Sequence, residues 1–234
     1  MLGRVKDEWS RSSKALTGTD AFWERSAAGI CLLRALKRLI PQHARGKLLD
    51  AGAGTLSIRH VAKAHCTEYQ SLDAHKTHPE LDHVGDIQRM PLPEGQFDTV
   101  LCLQVLEHVS NPEQALREIH RVLAPGGKLI ISVPHLDYLH NEPDDYFRYT
   151  KYGLDTLLKR VGFRVHSMES VGGFASFVQR LFATLGVGLT YETLLWPLFF
   201  AVNRVFGSVA VWLDARVDKK KLLALYFVAV AEKA

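Results

Sequence analysis

Three carboxylates and two glycines are spaced for work on a nucleotide-like ligand. Asp50-Ala51-Gly52-Ala53-Gly54 follows the short apolar run 47–50. Glycines in such a turn let the main chain approach a ligand closely, and a helix starting after it offers unpaired N–H groups. Asp73 ends the next apolar run, twenty-one residues after Gly52. A carboxylate there can accept hydrogen bonds from both hydroxyls of a ribose. Asp86 follows in GDIQRMPLPEGQFD. The third glycine of a dinucleotide fingerprint would fall at Ser57, and its absence counts against a nicotinamide cofactor. From the glycines alone, a tight turn made for packing remains an open reading. A second group of reactive side chains lies at 135–149, HLDYLHNEPDDYFRY, with two histidines, four carboxylates, an arginine and tyrosines.

The elements that must position these residues alternate. Strands are expected at 47–50, up to Asp73, at 97–104, 128–133, 163–169 and 222–231, with helices near 57–64, 111–123 and 150–161. Pro112 suits a first helical turn, and Pro125-Gly126-Gly127 stops that helix. The interval from Asp73 to Asp86 is too short for a crossover helix, so a loop is expected there. Residues 21–40 read as a helix ending at Pro41. The pattern indicates an α/β fold, a parallel sheet covered on both faces. The exception is the apolar, helical stretch 174–213 before the last strand.

Length and composition bound the answer: 234 residues, 47% hydrophobic and 23% charged, fit one α/β domain with an elaboration. The charge is uneven, with net +5 over 1–46, −4 over 47–173 and +3 over 174–234. A core of that sign lacks the basic groove of a nucleic-acid enzyme, so no nucleic-acid partner is expected. The basic flanks suit an anionic membrane surface, and ordinary solvated helix faces would also produce them. Cys31, Cys66 and Cys102 show no ligand spacing and suggest a reducing compartment. The start MLGRVKDEWSRSSK has no apolar signal core, so a cytoplasmic location is expected. His75, His78 and His83 lack a supporting carboxylate or thiolate, and no metal is expected.

The ordered set DAGAG, Asp73, Asp86, LQVLEHV at 103–109 and EIHRVLAPGGKLIISVP at 118–134 resembles the class I S-adenosylmethionine-dependent methyltransferases, in particular the type 11 methyltransferase domain. The resemblance covers about 47–173 and the final strand. It implies a Rossmann-like sheet in the order 3-2-1-4-5-7-6 with the last strand antiparallel. It divides the chain into an N-terminal helical cap (1–46), a cofactor-binding domain (47–173 and 222–234) and an apolar helical insertion (174–221). It implies S-adenosylmethionine as cofactor. Asp50, Gly52 and Gly54 would line its methionine and ribose part, and Asp73 would take the ribose hydroxyls. Asp86 would take the adenine amino group, Ile87 would pack on the ring, and Gln104 would present its main chain to the methionine amino group. Many members have a glycine where Leu56 stands, which would alter the turn. The run HNEPDDYFRYT at 140–150 resembles a bacterial subgroup of the same family.

Methyl transfer needs alignment and the exclusion of water, and a hydroxyl acceptor of high pKa also needs a base. His140 is the first choice, because histidine titrates near neutral pH, and His108 is the second. A loop-fixing hydrogen bond is an equal reading of His140. His135, Tyr146 and Arg148 are candidate acceptor contacts, although Arg148 could equally pair with Asp144 or Asp145. The expected activity is O-methylation of a small-molecule or lipid-linked acceptor; the alternative is a catalytically silent module that binds cofactor or a partner. In the insertion, Phe174, Phe177, Val178, Leu181, Phe182 and Leu185 recur at helical spacing, away from Gln179, Arg180 and Thr184. Asn203 and Arg204 interrupt 194–213, which argues against a span through a membrane. Three uses stay open for the insertion: a lid, a homodimer contact, or an element on the inner membrane face. In the last, Trp196 and Trp212 lie at headgroup level and Arg216, Lys219, Lys220 and Lys221 meet anionic lipid.

Overall fold

Leu48, Leu49, Asp50 and Ala51 are all buried, as in a central strand packed on both faces. In the computed structural model, which describes residues 2–140, 142–218 and 220–234, they belong to β1 (Lys47–Ala51). On one side β1 pairs in parallel with β2 (Glu68–Asp73), which pairs with the two-residue β3 (His83–Val84). On the other it pairs with β4 (Phe97–Leu103), which pairs in parallel with β5 (Leu123–Pro134). Beyond β5 come β7 (Tyr226–Lys233), antiparallel to it, and β6 (Phe163–Val171), so the order is β3-β2-β1-β4-β5-β7-β6. This is the expected sheet. No helix fills 74–82, as the short interval required.

The chain divides into two compact units, Lys37–Ser170 with Tyr226–Ala234, and Met1–Leu36 with Val171–Leu225. The first holds α4 (Arg59–Ala62), α5 (Pro112–Val122) and α6 (Lys151–Arg160), and α5 buries Ala115, Leu116, Ile119 and Val122. The Asn111 side chain caps it by accepting the Gln114 N–H at 3.1 Å. Strand β5 starts directly after it, at Leu123 rather than at 128. Leu123 pairs with Phe97 and Lys128 with Thr99, so Pro125-Gly126-Gly127 is accommodated as a bulge with Gly126 at φ 71°. The last strand starts at Tyr226 rather than at 222. Asp218 takes the Leu222 and Leu223 N–H groups at 3.0 and 3.3 Å and holds them in a turn.

The second unit joins segments far apart in sequence. It holds α1 (Leu2–Leu16), α2 (Asp20–Trp23), the start of α3 (Ala27–His43), α7 (Phe174–Thr190) and α8 (Trp196–Val217). The helix expected over 21–40 is broken after Trp23. There Arg25 turns inward and donates to the Phe22 and Trp9 carbonyls and the Ser12 and Ser13 hydroxyls. Pro41 lies within the last turn of α3, where it removes only one main-chain bond, and the helix runs on to His43.

The hairpin of α7 and α8 is turned inside out. Ser176, Ala183, Val187 and Gly188 of α7 and Asn203, Gly207, Ala210 and Asp214 of α8 are buried. Asp214 caps α7 by accepting the Ala175 and Ser176 N–H groups at 2.8 and 3.0 Å. Gln179 accepts the Ala27 N–H at 2.6 Å and donates to Asn203 at 2.8 Å, and Asn203 donates to the Arg25 carbonyl. Phe174, Leu181, Phe182, Leu198, Phe206 and Trp212 are exposed. The apolar stripe expected on 174–185 is real, but it faces outward, because small and hydrogen-bonding residues occupy the packed side. An apolar groove of about 740 Å³ runs between the helices, lined among others by Val178, Phe182, Phe199, Phe206 and Val209. Helix α8 is long and apolar enough to cross a membrane by length and composition.

Candidate active site

The ends of β1, β2, β4 and β5 bring the candidate residues to the edge where an open α/β sheet binds its ligands. Asp50 is buried, and the Tyr69 hydroxyl donates to its Oδ2 at 2.7 Å. Burial, partly offset by that bond, pushes the Asp50 carboxyl up to about 6. Gly52 (φ 81°) is forced by space, since a Cβ would meet Val105 at 2.3 Å. Gly54 (φ 51°) is different: a Cβ there would stand in open space. Its N–H donates to Asp73 Oδ2 at 2.8 Å, and the His75 N–H reaches Asp73 Oδ1 at 3.2 Å. A carboxylate has about four acceptor positions, so Asp73 keeps capacity for a diol. Leu56 retains the left-handed backbone of a glycine (φ 61°) and buries its side chain with Ala53 and Leu81. The departure at this position leaves the turn intact.

Asp86 is exposed and accepts the Gln88 N–H at 2.8 Å, while the neighbouring Ile87 is buried. Gln104 takes a left-handed conformation (φ 57°) after β4, tied by its N–H to the Ser132 carbonyl at 3.0 Å and by its Nε2 to the Ser132 hydroxyl at 3.1 Å. These residues fit an adenosyl and methionine ligand: an open glycine turn, an acidic acceptor at the end of β2, and a buried apolar residue next to an exposed carboxylate.

A 3₁₀ turn, Leu106–His108, follows β4. The loop after β5 folds back onto it, with Tyr146 N–H donating to the Glu107 carbonyl at 2.8 Å and the Tyr149 hydroxyl to the Leu106 carbonyl at 3.0 Å. The two candidate bases thereby become neighbours. The rings of His108 and His140 meet edge to face with centroids 4.8 Å apart. His108 Nδ1 lies 2.6 Å from the Asp144 carbonyl and His140 Nδ1 lies 3.1 Å from the Tyr138 carbonyl. Burial lowers the pKa of His108, partly offset by its hydrogen bond to the Asp144 carbonyl.

Sequence reasoning missed Glu107. Its side chain is fully buried, neither carboxylate oxygen has a hydrogen-bond partner among the described residues, and burial pushes its pKa up to about 8. The available signal was a glutamate beside a histidine in the apolar run LQVLEHV.

The candidate acceptor contacts separate. His135 Nδ1 is engaged with the Tyr149 carbonyl at 2.8 Å, and the Tyr146 hydroxyl donates to Asp144 at 2.8 Å. Arg148 is not available as an acceptor clamp. A guanidinium has five N–H donors, and those of Arg148 go to both oxygens of Asp145 and to the carbonyls of Asp137, Tyr138 and Phe147. Arg148 in turn holds the Asp145 carboxyl well below the usual range. His78 and His83 take separate partners, the Glu80 N–H and Gln70.

Residues 49–131 match the family model described as a methyltransferase domain. The stretch from β1 into β5 is thus similar to a methyltransferase domain. The domain is 33% identical over 84 residues to ajmaline N-methyltransferase of Rauvolfia serpentina, a stretch covering 36% of this chain and 28% of that protein. It is 50% identical over 38 residues to ubiquinone biosynthesis O-methyltransferase of Pseudomonas paraeruginosa, covering 16% of each. The chain thus spans under a third of the length of either relative. Among solved structures, the fold resembles the 1,6-didemethyltoxoflavin-N1-methyltransferase of Burkholderia thailandensis, determined with bound 1,6-didemethyltoxoflavin and S-adenosylhomocysteine. The TM-score is 0.55 at 19% identity, covering 86% of this chain and 78% of that one. The matched stretch runs from within β1 to within β5 and holds the glycine turn, Asp73 and Asp86.

Proposed function

We propose that the protein transfers the methyl group of S-adenosylmethionine to a hydroxyl of a small-molecule or lipid-linked acceptor. The observation that carries this reading is the pair His108 and His140, set at the sheet edge in the loops after β4 and β5. In the proposed reaction Asp73 holds the ribose and the main chain at Gln104 positions the methionine end. The acceptor hydroxyl gives its proton to an imidazole Nε2, with His140 the preferred acceptor and His108 the alternative. The oxygen lone pair forms the C–O bond as the C–S bond breaks, leaving S-adenosylhomocysteine. His140→Ala tests the assignment: turnover should fall on the order of 10²–10⁴-fold with cofactor affinity retained. Normal turnover would make His140 a loop-fixing residue. A nitrogen acceptor is the competing reading, favoured by the match to an N-methyltransferase; a neutral amine carries its own lone pair and would leave the histidine variants active.

The second unit supports a peripheral position on an anionic membrane face. Its hairpin exposes Phe182, Leu198, Phe206 and Trp212, buries Asn203 and Asp214, and ties half-buried Gln179 to Asn203. Apolar residues outside with small and hydrogen-bonding residues at the helix contact is the arrangement suited to lipid rather than water. The Arg216 guanidinium lies 3.6 Å over the Trp212 ring, and Lys220 is exposed nearby in sequence; Lys219 lies outside the described residues. A homodimer contact through the same exposed face is the competing use.

A further inference from the structure

We propose that Glu107, His108 and His140 bind one divalent transition-metal cation of the zinc class. One ligand atom from each lies within 4.8 Å of the other two. His108 Nε2 stands 3.9 Å from Glu107 Oε1. Bonds of about 2.0–2.2 Å to a shared tetrahedral zinc place ligand atoms roughly 3.3 Å apart. Side-chain rotations that move these atoms by about an ångström therefore close the set.

The independent observation is Glu107 itself. Its side chain has no exposed surface, and both oxygens lack a hydrogen-bond partner among the described residues. Buried carboxylates are otherwise paired or coordinate metals. Arg148, the nearest cation of the loop, is taken by Asp145 and by main-chain carbonyls. Both imidazoles turn Nδ1 to a main-chain carbonyl, that of Asp144 for His108 and that of Tyr138 for His140. An imidazole that donates from Nδ1 carries its lone pair on Nε2. This is the outer hydrogen bond that orients metal-binding histidines. Two imidazoles and one carboxylate suit zinc and its neighbours and leave a coordination position for an oxygen ligand.

The binding site stands on these three side chains; its role rests on the methyl-transfer reading above. A cation there would hold the acceptor oxygen and ionise its hydroxyl, with the proton passing to water, and would replace the histidines as the means of activating it.

The test is calorimetric titration of the chelator-stripped full chain with zinc chloride, repeated with cobalt(II) and followed by its visible absorption. One equivalent should bind, and Glu107→Gln and His140→Asn should each weaken it at least tenfold. The His75→Asn/His78→Asn variant should bind as the wild type does. If Glu107→Gln fails to fold, His140→Asn alone decides the outcome. Absence of saturable binding by either metal, or binding unchanged in folded His140→Asn, would overturn the proposal. Methyl transfer that persists without metal would remove the cation alone, whereas stoichiometric zinc binding without any methyl transfer would remove the methyl-transfer reading and leave the site.

Discussion

The carboxylate of Asp73 reaches back to the glycine turn, its Oδ2 accepting the Gly54 N–H at 2.8 Å. One side chain thus shapes the turn and, in the proposed assignment, would also take the ribose hydroxyls. Asp73→Ala should weaken S-adenosylmethionine binding at least tenfold by calorimetry, since a charged acceptor contributes about 1.5–3 kcal/mol. Asp73→Asn should fall between, because it keeps one acceptor oxygen. Unchanged affinity in a folded Asp73→Ala protein would remove the assignment.

The two glycines of the turn should fail differently. Gly52→Ala places a methyl 2.3 Å from Val105 at φ 81°, so it should lower the melting temperature as well as cofactor affinity. Gly54→Ala meets no neighbouring atom, so its cost to folding is the left-handed backbone alone, about 1–2 kcal/mol. Its loss of cofactor affinity should exceed what that cost implies. Equal melting temperatures with equal binding losses would contradict this division.

Glu107 makes stability depend on pH in the metal-stripped protein. Its folded pKa is raised to about 8 from an unfolded value of 4.5. Below about pH 4.5 both states hold the proton and the group has no effect. Above it the unfolded chain releases the proton first, so stability falls as pH rises, until the folded carboxyl also ionises near 8. The penalty approaches the order of 5 kcal/mol. Thermal melts of Glu107→Gln and wild type should therefore diverge from about pH 5 to about pH 8, with the variant the more stable. Parallel melts across that range would show that Glu107 is not buried without a partner.

Much of this site was legible because it is local. Asp50, the glycines and Asp73 lie at strand ends that hydrophobic patterning marks directly, and the short interval to Asp86 excluded a crossover helix. Glu107 was not legible, because its burial depends on the 135–149 loop folding back onto the turn after β4. Arg148 was legible as a guanidinium and not as a loop clamp, since nothing in spacing says that Asp145 receives it. The helical stripe of α7 was legible, and its outward direction was not. Amphipathicity identifies two faces, but here Gln179, Asn203 and Asp214 hydrogen-bond within the unit and reverse the usual inside.

The outward hairpin leads to a direct binding test. Full-length protein should co-sediment with vesicles containing phosphatidylserine, less at high salt and less as an Arg216→Glu/Lys220→Glu/Lys221→Glu variant. Phe182→Asp/Phe206→Asp should abolish binding without changing S-adenosylmethionine affinity. Failure to bind any vesicle, with a doubled mass by light scattering, would assign the face to a homodimer.

The central claim is methyl transfer to oxygen, and one measurement addresses it most directly. Purified protein is incubated with S-adenosylmethionine bearing a deuterated methyl group and a fractionated extract of small molecules and lipids, and products are followed by mass spectrometry. The account predicts a labelled methyl ether or ester that appears only with enzyme and is greatly reduced with His140→Ala. Label on nitrogen, or tight cofactor binding with no labelled product in any fraction, would contradict it.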